Sequence, residues 1–290
     1  MQSNRTAYNY DFSLVIATLN RSEELSRLLN SVNRQNLRCE VLIIDQSDEE
    51  FYEKNIKIID KYHMPISHFR SSVRNTSHAR NIGIVHSQGK VICFPDDDCE
   101  YPAGLLLRVL NLMNSGKNLL SGQYTDWEGQ RTYFPEKAVS LDDRDIFGKL
   151  SAITFFINNQ FEENIYFDER LGGGSLLQWS EEIDYGIRYI AKFGSAHYYP
   201  ELIVFHKVKR ASLESSRAKI SGSEGYILIK NITALKFKGW IRLFRLIYKS
   251  IIFFNTQAAK AVRYGISEAL RLRFTSIGKR GKRHRIENAK

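Results

Sequence analysis

The sequence lacks several features that define specialised classes of protein. Its 3 cysteines among 290 residues have the spacing of neither a metal-ligand set nor a disulfide framework, so reduced thiols are expected. No run approaches the roughly 18 uncharged apolar residues of a membrane-spanning helix. The N-terminal residues, MQSNRTAYNYDF, show no basic region followed by an apolar segment, so no signal peptide is expected. These absences predict a cytoplasmic protein, or one held peripherally at the inner face of the plasma membrane.

Charge is abundant but unevenly placed. Contents of 43% apolar, 12% aromatic and 26% charged residues are those of an ordinary globular chain, which at this length buries a core. Residues 215–290 hold 18 of the 42 Lys and Arg but 3 of the 32 Asp and Glu. A mildly acidic body therefore carries a strongly basic tail, which predicts an anionic partner for the tail.

Short apolar runs alternate with amphipathic stretches in the first hundred residues. Strands are predicted at 13–19, 40–45, 64–70 and 90–95, and helices at 23–35, from about 50 to 62, and at 78–87. Further on, helices are predicted near 102–114 and at 181–193, and strands near 118–125 and at 197–206. Apolar strands that alternate with helices imply an α/β fold with a mostly parallel sheet covered on both faces.

Polar residues follow three of the predicted strands. In open α/β sheets, ligands bind beyond the carboxyl ends of the strands. This rule selects Ala17–Arg21, Asp45–Asp48 and Asp96–Asp98 as the rim of a binding site. All three segments are polar, which favours a ligand site at that edge.

The run FPDDDCEYP at 94–102 places Asp96, Asp97 and Asp98 directly after an apolar strand. Three adjacent carboxylates repel one another, and a divalent cation such as Mg²⁺ or Mn²⁺ removes that penalty. In an extended segment, Asp96 and Asp98 point the same way and Asp97 points the opposite way. The run therefore predicts a metal site, with a solvated acidic turn as the alternative.

Several segments, taken in order, resemble the family 2 glycosyltransferases. They are SLVIATLNR at 13–21, VLIIDQSD at 41–48, VRNTSHARNIGIVHSQGKVICFPDDDCEYP at 73–102, FDERLGGG at 167–174 and WSEEIDYGIRYIAKFG at 179–194. The family counterparts are S-V-V-I-P-T-Y-N-R, a second strand ending in Asp, N-x-G-x-x-x-A-R-N-x-G followed by D-x-D, F-D-E-x-L-G, and G-E-D-x-D-L-x-x-R. The resemblance covers roughly residues 12–212.

The resemblance implies the GT-A fold, a Rossmann-like, mixed but mostly parallel sheet flanked by helices. We expect a GT-A catalytic domain over residues 1–214 and a basic, amphipathic helical region over residues 215–290. It also implies a nucleotide-sugar donor, with UDP favoured because the family most often uses it, and a Mn²⁺ or Mg²⁺ cofactor.

The resemblance further implies roles for residues of the rim. Asp45 would accept a hydrogen bond from the nucleobase. Asp98 would bind the metal, and Asp96 would bind metal or ribose. The residues implied in donor binding are Ala17, Thr18, Asn20, Arg21, Asp45, Arg80, Asp96 and Asp97. His206 matches a position that in some relatives completes the metal shell, and a core or surface histidine is the alternative.

The catalytic base of the family is the acidic residue that ends its E-D pair, which here falls on Glu182. Ser180 replaces the usual Gly and Glu182 the usual Asp, so Glu181 stays open as the base. The alternative is structural, because acidic residues complement the dipole of a helix that begins near Ser180.

The basic tail has apolar residues at helical spacing with Lys and Arg between them. Trp240, Leu243, Phe244, Ile247, Ile251 and Phe254 have this spacing. An amphipathic helix of this kind suits an anionic membrane surface. Packing on the catalytic domain or a homodimer contact is the alternative, and nucleic acid is not favoured.

Taken together, the sequence predicts an inverting glycosyltransferase that adds one sugar to a saccharide or lipid-linked saccharide acceptor, in surface polysaccharide synthesis. The chain has no Q-x-x-R-W segment, which speaks against polymerisation. Two other classes of protein fit the sequence less well. A sugar nucleotidyltransferase needs a G-x-G-x-R-L loop that ATLNRSEE does not supply. A non-catalytic protein that binds anionic membranes would leave the Asp cluster without a purpose.

Overall fold

The structure is a computed structural model that describes residues 8–130, 134–142, 146–159, 164–194, 196–207, 213–235 and 237–287. Within these ranges, residues 213–219, 238 and 273–287 are described by their backbone alone. The chain folds into two compact units. The first comprises Met1–Ser175 and Glu181–Lys209, and the second comprises Leu176–Ser180 and Arg210–Lys290. The expected domain boundary between residues 214 and 215 stays a prediction.

The first half of the first unit alternates strands and helices as predicted. Its elements are β1 (Tyr10–Thr18), α1 (Ser22–Asn33), β2 (Cys39–Asp45), α2 (Glu49–Ile59), β3 (Ile66–Arg70), α3 (Thr76–His86) and β4 (Gly89–Cys93). Every predicted element of this half is present, with ends that differ by a few residues. The apolar periodicity was sufficient because β1, β2 and β4 are largely buried and α1 buries one apolar face.

The second half of the unit is less regular. Its elements are β5 (Cys99–Glu100), α4 (Leu105–Asn114), β6 (Leu119–Thr125), β7 (Val139–Leu141), a 3-10 helix (Ala152–Thr154), β8 (Phe156–Asn158), α5 (Glu181–Phe193) and β9 (Ala196–His206). The helices α4 and α5 and the strands β6 and β9 were predicted. The two- and three-residue strands β5, β7 and β8 were not, because such short segments carry no periodicity.

The strands form one sheet in the order β3-β2-β1-β4-β8-β6-β9-β5, and β7 also pairs with β9. The first four strands are parallel, and β6 is parallel to β9. The inserted strand β8 is antiparallel to both β4 and β6, and β5 is antiparallel to β9. Because two antiparallel steps restore the direction, the carboxyl ends of β1, β2, β4 and β9 meet at one edge.

The core of the first unit forms around β1, whose alternate residues point to opposite faces of the sheet. Phe12, Leu14 and Ile16 join a buried cluster with Leu25 and Leu28 of α1. On the opposite face, α3 approaches so closely that a Cβ at Gly83 would lie 2.2 Å from Val15 Cγ1. Helices thus cover both faces of a largely parallel sheet, which confirms the predicted α/β class.

The second unit is built from three helices, which are α6 (Leu213–Lys230), α7 (Phe237–Ile252) and α8 (Gln257–Glu287). Two glycines let α6 and α8 approach closely, since a Cβ at Gly265 would lie 2.0 Å from the carbonyl oxygen of Gly222. The predicted C-terminal region is therefore helical. No helix among the described residues has the combination of length and apolar character needed to cross a bilayer. The side chains of the basic end, residues 278–290, lie outside the described residues.

Candidate active site

The turns that follow β1 and β2 are bonded to each other at the sheet edge. The N–H of Asn20 donates to Ser47 Oγ at 2.8 Å, and Asn20 Nδ2 donates to Asp48 Oδ2 at 2.7 Å. The N–H of Asp48 returns a bond to Asn20 Oδ1 at 2.8 Å. Asn20 adopts a φ of 57°, a left-handed conformation that Asn tolerates better than most residues. The bonded turns fix the position of the β1 end, where Ala17 and Thr18 lie.

Asp45 ends β2 and is fully buried. Its carboxylate accepts from the N–H of Ser47 at 2.9 Å and from Asn55 Nδ2 at 2.8 Å, and it lies 3.0 Å from His68 Nε2. Burial raises its pKa, but the hydrogen bonds from His68, Asn55 and Ser47 outweigh burial and leave the pKa below its usual value. In the described structure Asp45 thus holds the β2 end together, and its contact with a nucleobase stays a prediction.

Asp97 differs from its two neighbours because its side chain turns into the protein. Asp97 Oδ2 accepts from Thr18 Oγ1 at 2.8 Å, and Asp97 Oδ1 accepts from Arg21 Nη1 at 3.0 Å. Burial raises the pKa of Asp97 to about 6, against the opposing effect of Arg21 and Thr18. Asp97 therefore joins the Asp-rich turn to the β1 turn.

Asp96, Asp98 and His206 form a cluster at the same edge. One oxygen of each carboxylate and one ring nitrogen of His206 lie within 4.8 Å of one another. Asp98 Oδ1 is 3.1 Å from His206 Nε2, and Asp98 Oδ2 accepts from Arg21 at 2.9 Å. The pairing of β5 with β9 explains this arrangement, since it sets Cys99 opposite His206, one residue after Asp98.

The donor atoms of this cluster fit a divalent cation. Two carboxylate oxygens and one imidazole nitrogen at such separations can be reached by one ion at metal–ligand distances of roughly 2.0–2.2 Å. All three residues are partly exposed, so further ligands could come from a bound molecule. The structure brings together the three residues that the resemblance had assigned to the metal.

Arg80, on α3, is buried and links the Asp-rich turn to α5. Its Nη1 donates to Glu181 Oε1 at 2.5 Å, and its Nη2 donates to Asp96 Oδ1 at 3.0 Å. Burial lowers the pKa of Arg80, but the negative charges of Glu181 and Asp96 outweigh burial and leave the pKa above its usual value. Arg80 is thus a fixed cation between Asp96 and the start of α5.

The segment Leu171–Gly174 closes over the N-terminus of α3 and so helps to place Arg80. Asn75 caps that helix by accepting from the N–H of His78 at 2.9 Å, and it donates to the Glu169 carbonyl at 2.8 Å. Ser77 Oγ donates to the Leu171 carbonyl at 2.7 Å. Gly174 has a φ of 78°, and a Cβ there would lie 2.0 Å from the Arg74 carbonyl oxygen.

Sequence reasoning missed this contact between the glycine segment and α3. The residues involved, Asn75, Ser77 and the glycines of LGGG, are ordinary turn and capping residues when taken alone. The run of three glycines was the available signal, since it is typical of a backbone that approaches another backbone closely.

Glu181 and Glu182 begin α5 but have different surroundings. Glu181 is buried and ion-paired with Arg80. Glu182 is half-buried and forms no ion pair with any described residue. Loss of solvation on burial raises the pKa of Glu182 to about 8, and the charge of Glu181 adds to the rise. Of the two, Glu182 has the properties of a proton acceptor near neutral pH.

Residues 13–169 match the sequence profile described as Glycosyl transferase family 2. The chain belongs to this family. The match spans more than half of the 290 residues, and it confirms the family that the ordered motifs had indicated. The rim segments of the site, from Ala17 to Asp98, all fall within the matched region.

A curated relative of this chain is the "Minor teichoic acid biosynthesis protein GgaB" of Bacillus subtilis (strain 168). The two are 28% identical over 119 residues, which amount to 40% of this chain and 13% of GgaB. The chain therefore spans a small part of that longer protein.

Solved structures with similar folds include S. aureus TarS and a mannosyltransferase. TarS 1-349 in complex with UDP-GlcNAc aligns with a TM-score of 0.58 at 18% identity, over 90% of this chain and 71% of that one. PcManGT from Pyrobaculum calidifontis, in complex with GDP-Man and Mn²⁺, aligns with a TM-score of 0.61 at 13% identity, over 91% and 76%. At these identities the likeness shows the fold, and it confirms the expected GT-A class for this chain.

Proposed function

We propose that this chain transfers one sugar, with inversion, from a nucleoside-diphosphate sugar to a saccharide or lipid-linked saccharide acceptor. The observation that carries the proposal is that Arg80 bonds both to Asp96, a member of the cluster with Asp98 and His206, and to Glu181, the residue before Glu182. This link supports a metal-binding role for the carboxylates of the cluster and a base role for the nearby Glu182. We assign catalysis to residues 1–214 and a supporting role to the helical residues 215–290.

Asp98, Asp96 and His206 would hold the metal. Carboxylates favour Mg²⁺ and Mn²⁺ while imidazole favours transition metals, so Mn²⁺ suits this mixed set best and Mg²⁺ second. When bound, the ion would neutralise charge on the diphosphate leaving group. Arg80 and Arg21 keep the carboxylates in position beforehand, because each donates to a carboxylate of the cluster.

Glu182 would act as the general base. The acceptor hydroxyl attacks the anomeric carbon, the bond from that carbon to the diphosphate oxygen breaks, and the hydroxyl proton passes to Glu182. A single displacement of this kind inverts the anomeric configuration. Glu181 is the weaker candidate because its carboxylate already accepts from Arg80, which would compete with the incoming proton.

The donor would lie against the turns after β1 and β2. The donor-binding residues we propose are Ala17, Thr18, Asn20, Arg21, Asp45, Arg80, Asp96 and Asp97. Thr18 and Asp97 are bonded to each other, and Asn20 is bonded to Ser47, so the pocket wall is ordered before a ligand arrives. Such preorganisation lowers the entropic cost of binding. UDP is the favoured nucleotide. Similar structures contain UDP, UDP-GlcNAc or GDP-Man as bound ligands.

Surface polysaccharide synthesis is the process we favour, since GgaB is named for teichoic acid biosynthesis. A lipid-linked acceptor would require peripheral contact with a membrane, and the basic helical unit offers a means of contact. Family membership weighs against the sugar nucleotidyltransferase, and the Asp-rich cluster weighs against a non-catalytic membrane-binding protein. We do not propose a nucleic-acid partner.

A thermal-shift screen tests the donor site directly. UDP, GDP, dTDP and CMP are each added with Mn²⁺ or with EDTA to the wild type, to Asp98→Ala and to Glu53→Ala. Glu53 is an exposed carboxylate on α2, so Glu53→Ala matches the charge change away from the site. A ligand at 100 times its Kd should stabilise the protein by about 2.7 kcal/mol.

The expected result is a Mn²⁺-dependent shift with one nucleotide that persists in Glu53→Ala and is lost in Asp98→Ala. The absence of any shift in a folded wild-type protein would reject the donor-site assignment. A shift of equal size in Asp98→Ala would reject Asp98 as a metal ligand.

A further inference from the structure

A row of large apolar side chains is exposed along α7 and the turn after it. Helical spacing places Phe237, Trp240, Phe244, Tyr248 and Ile251 on one side of the helix, and we call these five residues the α7 stripe. Phe244, Tyr248 and Ile251 are 63%, 65% and 66% exposed. Ile252, the last residue of α7, is also exposed, and Phe253 and Phe254 extend the exposed area beyond the end of the helix.

This area is large for a surface that stays in water. Aromatic side chains offer roughly 150–250 Å² each, and monomeric proteins rarely expose apolar patches larger than a few hundred Å². Leu243 and Ser250, on another side of α7, are buried, so the helix is held by one side and presents the stripe with another. The α7 stripe therefore has the properties of a docking surface.

The charges beside the stripe are of one sign. The sequence of α7 contains Lys238, Arg242, Arg245 and Lys249 and no acidic residue. Arg242 donates to Glu224 at 2.6 Å, whereas Arg245 and Lys249 are exposed and have no acidic partner among the described residues. Each of these two follows a stripe residue by one position, about 100° around the helix, so both lie along the same border of the stripe.

A cleft next to the same border is lined by apolar side chains together with small polar ones and Lys249. It has a volume of about 310 Å³, and its walls include Leu246, Lys249, Phe253, Ala259 and Val262. An apolar lining beside an exposed cation suits an amphipathic molecule, with its chain in the cleft and its anionic head at Lys249. The cleft therefore points to the same kind of partner as the stripe.

We propose that the α7 stripe docks on an anionic lipid bilayer. The aromatic side chains would enter the boundary between headgroups and acyl chains, and Arg245 and Lys249 would contact lipid phosphates. Charge decides against a second copy of this chain. A symmetric pairing of two stripes would bring their cations together with no acidic residue of α7 between them, whereas an anionic bilayer neutralises them.

The proposal rests on the proposed function only in that a lipid-linked acceptor gives membrane docking a purpose. Its test uses the whole protein with Trp127→Phe and Trp179→Phe, which leaves Trp240 as the remaining one of 3 tryptophans. Vesicles of phosphatidylglycerol should shift Trp240 fluorescence to shorter wavelength, and vesicles of phosphatidylcholine should not. Co-sedimentation gives the partition coefficient.

Two sets of variants separate the apolar and the charged contributions. Phe244→Gln, Tyr248→Gln and Ile251→Gln together should weaken binding to phosphatidylglycerol at least tenfold, while Val85→Gln with Leu107→Gln, exposed apolar residues of the first unit, should not weaken it. Arg245→Gln with Lys249→Gln should weaken binding about 25-fold, since each cation near an anionic surface contributes about fivefold. Lys57→Gln with Lys61→Gln, exposed cations of the first unit, should change it less than twofold.

Several results would overturn the proposal. These are absence of wild-type binding to phosphatidylglycerol, binding by the stripe variant equal to that of the wild type, or a wild-type dimer that the stripe variant splits without any vesicle binding. The transferase proposal can fail separately, because Asp98→Ala should bind vesicles like the wild type. The stripe variant should in turn keep its nucleotide-dependent thermal shift in the absence of vesicles.

Discussion

At the sheet edge of the first unit, Asp97 and Asp98 share Arg21, while Asp96 and Glu181 share Arg80. On α7 of the second unit, Arg245 and Lys249 face solvent without an acidic partner in the described part of the chain. Charges that are paired inside a protein hold fixed positions, which suits a small ligand bound in one geometry. Unpaired charges beside exposed apolar side chains instead suit a partner such as a lipid surface, which is extended and has no fixed geometry.

The largest expected effect follows from removing one carboxylate of the metal cluster. Asp98→Ala should reduce the transfer rate by about 10³-fold, because a bound ion stabilises leaving-group charge by several kcal/mol. Initial rates with a UDP-sugar and Mn²⁺ measure the effect. Asp97→Asn is the matched comparison, since the Asp97 side chain points inward. It should keep the metal dependence and instead lose about 1–3 kcal/mol of unfolding free energy. Equal loss of metal dependence in both variants would contradict the distinct orientations of the two side chains.

The next effect separates the two glutamates of α5. Glu182→Gln should lower kcat by about 10²–10³-fold and leave the nucleotide-dependent thermal shift unchanged, because only proton transfer is lost. Single-turnover kinetics, with the enzyme in excess over the donor, separate the chemical step from donor binding.

Glu181→Gln is the matched control for that variant. It should lower the free energy of unfolding by about 3 kcal/mol, because the buried Arg80 cation loses the negative charge of Glu181 that offsets its desolvation. Its kcat should fall less than that of Glu182→Gln. The reverse order of kcat values would assign the base to Glu181.

The raised pKa of Glu182 predicts a pH dependence of both rate and stability. Since a base must be ionised and the pKa is about 8, kcat should rise about tenfold per pH unit up to that value. The folded protein holds this proton more tightly than the unfolded chain, whose value is near 4.5, so the free energy of unfolding should fall between pH 4.5 and about 8. Glu182→Gln should remove that part of the fall. A kcat that is flat from pH 6 to 9 would contradict the assignment.

A smaller effect is expected at the helix that carries Arg80. Asn75→Ala removes the cap of α3 and the bond to the Glu169 carbonyl, and it should lower the free energy of unfolding by about 1–2 kcal/mol. Urea denaturation measures the change. Unchanged stability would show that the cap contributes nothing to α3.

The smallest effect belongs to the α7 stripe, and it contrasts two adjacent residues. Phe244→Gln should change the stability of the protein in solution by less than about 0.5 kcal/mol, because the side chain is exposed. Leu243→Ala, a buried neighbour, should cost about 2–5 kcal/mol. Thermal unfolding of both variants measures the difference, and a large loss in Phe244→Gln would place that side chain in a packed environment.

Much of the first unit could be predicted from the sequence because β1, β2 and β4 are largely buried and α1, α4 and α5 each bury apolar residues. The strand-end rule also grouped three segments that do meet at one edge, since Thr18 contacts Asp97 and Asn20 contacts Asp48 in the structure. These contacts follow from the parallel direction of β1, β2 and β4, and a mostly parallel sheet was predicted from the alternation of strands and helices. The alternation of Asp96, Asp97 and Asp98 between two directions was likewise accessible from strand geometry.

The remaining contacts of the site depend on pairings that no local pattern contains. His206 reaches Asp98 through the register of the two-residue strand β5 with β9. The bond between Ser77 and Leu171 joins residues 94 positions apart, and that between Arg80 and Glu181 joins residues 101 positions apart. Such pairs are fixed by tertiary packing. The resemblance to the family could therefore indicate which residues matter but not which residues they contact.

The bond between Arg80 and Glu181 also bears on how the protein can be cut. The family profile ends at residue 169, before Glu181. A fragment that ended there would keep every strand from β1 to β8 and the Asp-rich turn. Its Arg80, however, would lack the carboxylate that compensates much of the cost of taking a guanidinium out of water. The segment that the family profile matches is therefore shorter than the segment that must fold together. Truncation after residue 169 should yield an aggregation-prone chain.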